Sequence, residues 1–133
     1  MLKEKFVKTQ KVLRLATIDS KGMPHLVPVW YKYIGKKFYI GTNTKTTKAR
    51  NISKNNKVCF CIDIGVWHPI DGVMGTGKAR LIKDKKIVKK IAGQILLRYF
   101  KSLKQKSAKD LLENTDCIIE ITPIKVKIGR AHV

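Results

Sequence analysis

The chain has 133 residues, with 29 Lys and Arg against 9 Asp and Glu, a formal charge of +20 at pH 7. That length holds one domain with a real core, and 44% hydrophobic residues exclude an intrinsically disordered chain. No apolar run reaches the ~20 residues of a membrane span, the N-terminus lacks a secretory apolar stretch, and three cysteines suit a reducing compartment; a cytoplasmic protein without a membrane partner is expected.

Leu2 to Gln10 reads as a short helix. Val12 to Ile18 is a strand that alternates Leu13, Leu15 and Thr17 with Val12, Arg14, Ala16 and Ile18. Asp19-Ser20-Lys21-Gly22 supplies a turn. Pro24 to Ile34 is a longer second strand, apolar on both faces and so expected at the centre of a sheet. Pro28 inside it cannot donate a ladder hydrogen bond, which marks an edge or a bulge. Gly35-Lys36-Lys37 turns into a third strand, Phe38 to Thr42, and the three form an antiparallel meander. Asn43 to Lys54 switches to a helix with Ala49, Ile52 and Ser53 inward. Lys57 to Ile64 is a fourth strand, residues 65–71 a loop, and Val73 to Lys83 a fifth strand.

Asp84 then caps an amphipathic helix whose apolar rows run Ile87, Ile91, Ile95, Tyr99, Leu103 and Val88, Ala92, Leu96, Phe100. Asp116 to Ile128 is a sixth strand bent at Pro123, with Ile124, Val126 and Ile128 inward. Six mostly antiparallel strands with two or three helices predict a mainly β fold, a small closed or half-closed barrel forming one domain over residues 1–133.

The charge points only weakly to nucleic acid. Of the 29 cations, 24 are Lys and five are Arg (Arg14, Arg50, Arg80, Arg98, Arg130), spread without a block of five. Base and phosphate readers lean on the planar Arg fork, so a solvated Lys surface is the better reading. The informative charges are local. Thr46 or Thr47 can cap the second helix, yet Lys45, Lys48 and Arg50 crowd its positive end, where the macrodipole favours an anion. Free amides, hydroxyls and cations at one helix N-terminus make a phosphate cradle.

Other patterns carry less. Gly72 to Lys78 fits the G-x4-G-K start of a phosphate loop, but Ala79 replaces the Mg²⁺-holding hydroxyl and a strand follows. The glycines fit a bent strand or a close approach instead. Cys59 and Cys61 share a strand face roughly 7 Å apart, too far to bridge, and with Cys117 they read as buried small hydrophobes. His25, His68 and His132 have no metal-ligand spacing, so no metal is expected. No catalytic triad or carboxylate pair stands out.

The order of motifs resembles the flavin-binding split-barrel superfamily related to pyridoxamine 5′-phosphate oxidase. These are LATID-x-x-G-x-P-x-x-VPVW (Leu15 to Trp30), Phe38-Tyr-Ile-Gly-Thr-Asn43, Thr47-Lys-Ala-Arg-Asn-Ile52, Gly77-x-Ala-Arg-Leu-Ile-x-Asp84 and Ile121-x-Pro-x-Lys-Val126. The resemblance implies a six-stranded Greek-key split barrel that works as a homodimer, with flavins at the subunit interface. It places the FMN phosphate on Thr42, Thr46 and Lys48, with Asn43, Thr47 and Arg50 beside them, and the flavin ring along the backbone of Val27, Pro28, Val29 and Trp30. Thr47 stands where many members carry Arg, so Arg50 and Lys45 are candidate substitutes. Arg130-Ala131-His132 echoes the oxidase's Arg-x-His, but the chain stops where the oxidase's terminal segment continues, and oxidation of pyridoxamine phosphate is not expected. The implied function is an FMN-binding oxidoreductase or electron carrier acting through flavin N5 on a small-molecule or protein redox partner. The alternatives are a reductase using the deazaflavin F420 and, from another class, a basic nucleic-acid-binding barrel.

Overall fold

The computed structural model describes residues 4–64 and 71–130. Eleven elements follow in chain order: α1 (Glu4–Thr9), β1 (Leu13–Ile18), β2 (Pro24–Val29), β3 (Lys32–Ile34), β4 (Lys37–Thr42), α2 (Thr47–Lys54), β5 (Lys57–Ile64), β6 (Asp71–Ile82), α3 (Lys85–Leu96), α4 (Lys106–Asn114) and β7 (Cys117–Arg130). All seven strands join one antiparallel sheet in the order β2-β1-β5-β6-β7-β4-β3.

The order itself dictates curvature. β2 and β3 are opposite edges, yet only Trp30 and Tyr31 separate them in the chain. Seven flat strands would set the edges about 29 Å apart at ~4.8 Å per spacing, while two linking residues reach only about 10 Å. The sheet therefore curls into a split barrel. Its interior takes every second residue: Leu13 and Leu15 from β1, Phe38 and Ile40 from β4, Phe60 and Ile62 from β5, Val73 from β6, and Ile119 and Ile121 from β7, all at most 3% exposed. Thr17, the third of the alternating β1 residues, is also buried.

The long second strand predicted from the sequence is two strands, and both are edges rather than the centre. The break has a clear cause. The Tyr31 N–H donates to the Tyr99 hydroxyl at 3.1 Å, and the Tyr31 carbonyl accepts from Arg98. Side chains thus take the bonds a neighbouring strand would need. Among the described residues the barrel accordingly has seven strands, not six. A type I′-like turn at Gly35 (φ 56°) and Lys36 (φ 66°) closes the β3–β4 hairpin.

Among the described residues there are four helices where two or three were expected. α3 starts at the predicted Asp84 cap, which accepts from the Ile87 N–H at 3.1 Å. It stops at Leu96 instead of carrying its rows to Leu103. α4 is an addition. Val88, Ala92 and Ile95 of α3 pack on Ile118 of β7, covering the outer face of the sheet where β4 and β7 pair. Glu120 on that face is 6% exposed and held by Arg80, Lys37 and the Tyr39 hydroxyl.

Among the described residues no helix covers the other outer face, over β1, β2, β5 and β6: α2 meets these strands from the core side, through Ile52 and the Asn51–Thr17 hydrogen bond. Leu26, Ile124 and Met74 are 67%, 58% and 40% exposed. Ile124 was expected inside. A bulge opposite Thr76 and Gly77 adds one residue to β7 and turns Ile124 outward. Val126 and Ile128 stand on the same side as their partners Gly75 and Val73 but remain 39% and 36% exposed. Gly75 and Gly77 show why this stretch is glycine-rich: added Cβ atoms would lie 2.1 Å from the Lys125 carbonyl oxygen and 2.7 Å from that of Thr122. The apparent phosphate-loop motif is the close crossing of β6 and β7.

Candidate functional site

α2 begins where β4 leaves the sheet. Thr46 is the predicted cap, its Oγ1 accepting from the Ala49 N–H at 3.4 Å. The same hydroxyl donates to the Asn43 carbonyl and lies 2.9 Å from the Thr42 hydroxyl. The Arg50 N–H goes to the Thr46 carbonyl. The amides of Thr47 and Lys48 are the orphan donors of the first turn. The preceding loop is tied down from the end of α4 and the link to β7: the Asn43 amide donates to the Asn114 carbonyl, and Asp116 accepts from the Thr44 N–H at 2.9 Å. No acidic residue stands in the first turn of α2.

Lys48 is half-buried, and burial pushes its pKa below the usual lysine value. The ion pairs among the described residues employ Lys8, Arg14, Lys37 and Arg80, so Lys48 carries its charge there without a counter-ion. It faces a cavity of about 430 Å³ whose walls include Pro28, Val29 and Trp30 of the β2–β3 crossing, Ile95 and Leu96 of α3, and Leu111 of α4. That volume is within the ~300–1,000 Å³ range of small-molecule sites. One cation in a mostly apolar pocket suits an apolar molecule with one anionic end.

The predicted residues divide into three groups. Pro28, Val29, Trp30 and Lys48 meet at the cavity. Thr42, Thr46 and Asn43 build the loop under the helix start, and Thr42 is itself buried. Thr47 and Arg50 face away, lining a separate hollow of about 240 Å³ with Asp19, Asn51 and Lys54. Arg50 is therefore not placed to replace the missing arginine beside Lys48, whereas Lys45 stays on the loop and exposed. The Val27 side chain packs on the barrel core, so only its backbone belongs to β2's site-facing segment.

Sequence reasoning missed the α3–α4 wall. Ile95 and Leu96 fell in the helical rows read as core, and Leu111 lies in the unpredicted helix. It also missed Tyr99, whose ring stacks on Trp30 with centroids 4.2 Å apart and planes 6° from parallel. Burial raises the Tyr99 phenol pKa and lifts that of Tyr31 to about 12, so both stay protonated donors at neutral pH.

The remaining candidates separate cleanly. Cys117 is buried as expected, but Cys61 is only half-buried and Cys59 is exposed, because β5 turns both toward the uncovered face. The buried Nδ1 of His25 has no hydrogen-bond partner among the described residues. His68, the Arg130 side chain, Ala131 and His132 lie outside the described residues. Among the described residues no three metal-ligating groups converge, and no helix is long and apolar enough to cross a membrane.

Comparison with known proteins agrees with this architecture. A conserved hypothetical protein from Mycobacterium tuberculosis superposes with a TM-score of 0.84 at 21% identity, covering 100% of this chain and 91% of its own. HutZ, the heme storage protein of Vibrio cholerae, gives 0.78 at 16% identity over 95% and 91% of the two chains. A FAD-binding protein from Mesorhizobium loti gives 0.73 at 20% identity over 97% and 92%. At such identities the likeness establishes the fold. No curated protein sequence matches the chain. The sequence profile of pyridoxamine 5′-phosphate oxidase matches residues 3–127, nearly the whole barrel including β2, α2 and the cavity between them, and the chain belongs to that family.

Proposed function

We propose that the protein is an FMN-binding flavoprotein, an oxidoreductase or electron carrier that exchanges electrons with a small-molecule or protein redox partner. The observation that carries this reading is Lys48, a half-buried cation without a counter-ion among the described residues, at the start of a helix with two orphan amides and beside an apolar cavity. The family membership and a FAD-binding protein of the same fold support it.

The residues fit a flavin mononucleotide. Lys48 and the amides of Thr47 and Lys48 take the phosphate, where charge-assisted bonds and the helix dipole act together. Thr46 holds the first turn in register, and Asp116 fixes the loop before it. Val29, Ile95, Leu96 and Leu111 keep water from the ring. FMN supplies hydride and one-electron chemistry at N5, and the positive field of the chain favours its anionic reduced form. The polypeptide needs no nucleophile or triad for this.

The uncovered outer face supports a homodimer. Leu26, Met74 and Ile124 are 67%, 40% and 58% exposed, on a face that a second copy would bury. The test is direct. Purified protein should show a flavin absorption spectrum, or acquire one on adding FMN, with a higher melting temperature. Absence of both rejects the reading. Displacement of FMN by F420 at equal concentration would name the deazaflavin instead. Tight RNA binding that collapses with salt and ignores Lys48→Glu would indicate a nucleic-acid barrel.

A further inference from the structure

We propose that the Trp30 indole is a preset stacking wall for a planar conjugated ring, and that Tyr99 and Arg98 are the positioning residues that hold it. The inference rests on the reading above, that the ligand occupies the cavity between β2 and the α3–α4 hairpin.

Trp30 is 40% exposed and lines that cavity. An exposed tryptophan with no task is free to rotate. This one is backed by the Tyr99 ring at 4.2 Å, nearly parallel, and by the edge of Phe100 at 5.7 Å and 67°. The backing ring is itself locked. The Tyr99 hydroxyl accepts from the Tyr31 N–H at 3.1 Å and donates to the Lys11 carbonyl at 2.8 Å. Arg98 donates to the carbonyls of Tyr31, Lys8 and Gln10, so one side chain ties the β2–β3 crossing to α1 and its exit. Lys11 and Arg98 also lie over the Tyr99 ring, 5.2 Å and 5.5 Å from its centroid.

Two segments distant in sequence, the end of α1 with its exit and residues 98–100, thus hold an indole that neither of them buries. Offset-stacked rings attract through their quadrupoles as well as their area, and a wall already in place loses no rotamer freedom on binding. The rest of the cavity is aliphatic apart from Lys48 and Thr115, so the flat indole face, held parallel to Tyr99, is what favours a planar conjugated ring over a globular apolar group. That chemistry has two sources, the flavin ring itself or the ring of a reactant such as a quinone.

The experiment uses a Trp67→Phe chain, in which Trp30 is the sole tryptophan of the two in the sequence. Its emission is titrated with lumiflavin, which has the flavin ring without phosphate, with menadione, and with adamantane-1-carboxylate, which is anionic but globular. Saturable quenching by lumiflavin alone assigns the wall to the flavin, by menadione alone to a reactant, and by both to either ring. Tyr99→Leu should weaken that binding about 10-fold and Tyr99→Phe, which keeps the stacked ring, about 3-fold. The proposal fails if neither planar ring quenches, if the globular acid quenches equally, or if both Tyr99 variants, folded by circular dichroism, bind like the parent. FMN binding without any change in Trp30 emission, when menadione is silent too, overturns this inference and leaves the flavin reading standing. Menadione quenching without FMN binding does the reverse.

Discussion

α2 and α3 begin with the same electrostatic problem and solve it differently. Each has cations in or beside its first turn, Lys45 and Lys48 for α2, Lys85 and Lys86 for α3, and neither has an acid within the turn itself. α3 is capped by Asp84, whose carboxylate satisfies an amide and offsets the charge within the chain. α2 is capped by the neutral Thr46, and its half-buried Lys48 finds no carboxylate among the described residues. A charge balance completed internally serves stability. One left open serves an incoming anion.

The largest effect should come from reversing the open charge. Lys48→Glu should weaken FMN about 100-fold, because charge-assisted bonds of ~1.5–3 kcal/mol each become repulsion, while the melting temperature of the cofactor-free protein stays the same. Flavin fluorescence titration beside thermal melts checks both halves. Next, Thr46→Asp transplants the α3 solution onto α2. It should stabilise the cofactor-free protein by about 0.5 kcal/mol and weaken FMN about 10-fold; tighter FMN binding would break the comparison. The reciprocal Asp84→Ala should cost about 1 kcal/mol in urea unfolding and leave FMN affinity unchanged.

The smallest effect is a pH dependence. The folded-state pKa of Lys48 is depressed by burial, so the folded chain binds fewer protons than the unfolded one in the alkaline range. Stability of the cofactor-free protein should rise slightly as pH climbs toward the ordinary lysine value of 10.5. FMN affinity should fall over the same range as the cation is lost. Lys48→Met should flatten both curves.

These contrasts also mark what a sequence shows. The caps Thr46 and Asp84 were legible because a cap is a local contract between one side chain and an amide three residues on. β1, β4 and β5 were legible from alternation, and the Thr42–Lys48 loop from its misplaced charges. The β2–β3 break was not, since its cause, Tyr99 and Arg98, lies 67 or 68 residues away. α4 was hidden because Ala108, Leu111 and Leu112 make too short an apolar row to announce a helix, and α3's pattern runs on past its true end. The bulge that expels Ile124 depends on how β6 meets β7. The half of the site built from α3 and α4 shared that fate, being tertiary in origin.

β7 has a consequence for how the molecule is made. It pairs with β6 on one side and β4 on the other, and among the described strands no other pairing joins β2-β1-β5-β6 to β4-β3. A nascent chain that has left the ribosome only as far as Asp116 therefore holds two separate ribbons, with Leu15 and Phe60 on one and Phe38 on the other facing water. Closure waits for the late, non-local strand, the kind of step that slows folding. A stop codon at the start of β7 would yield an unsealed, aggregation-prone precursor with its hydrophobic lining open to chaperones.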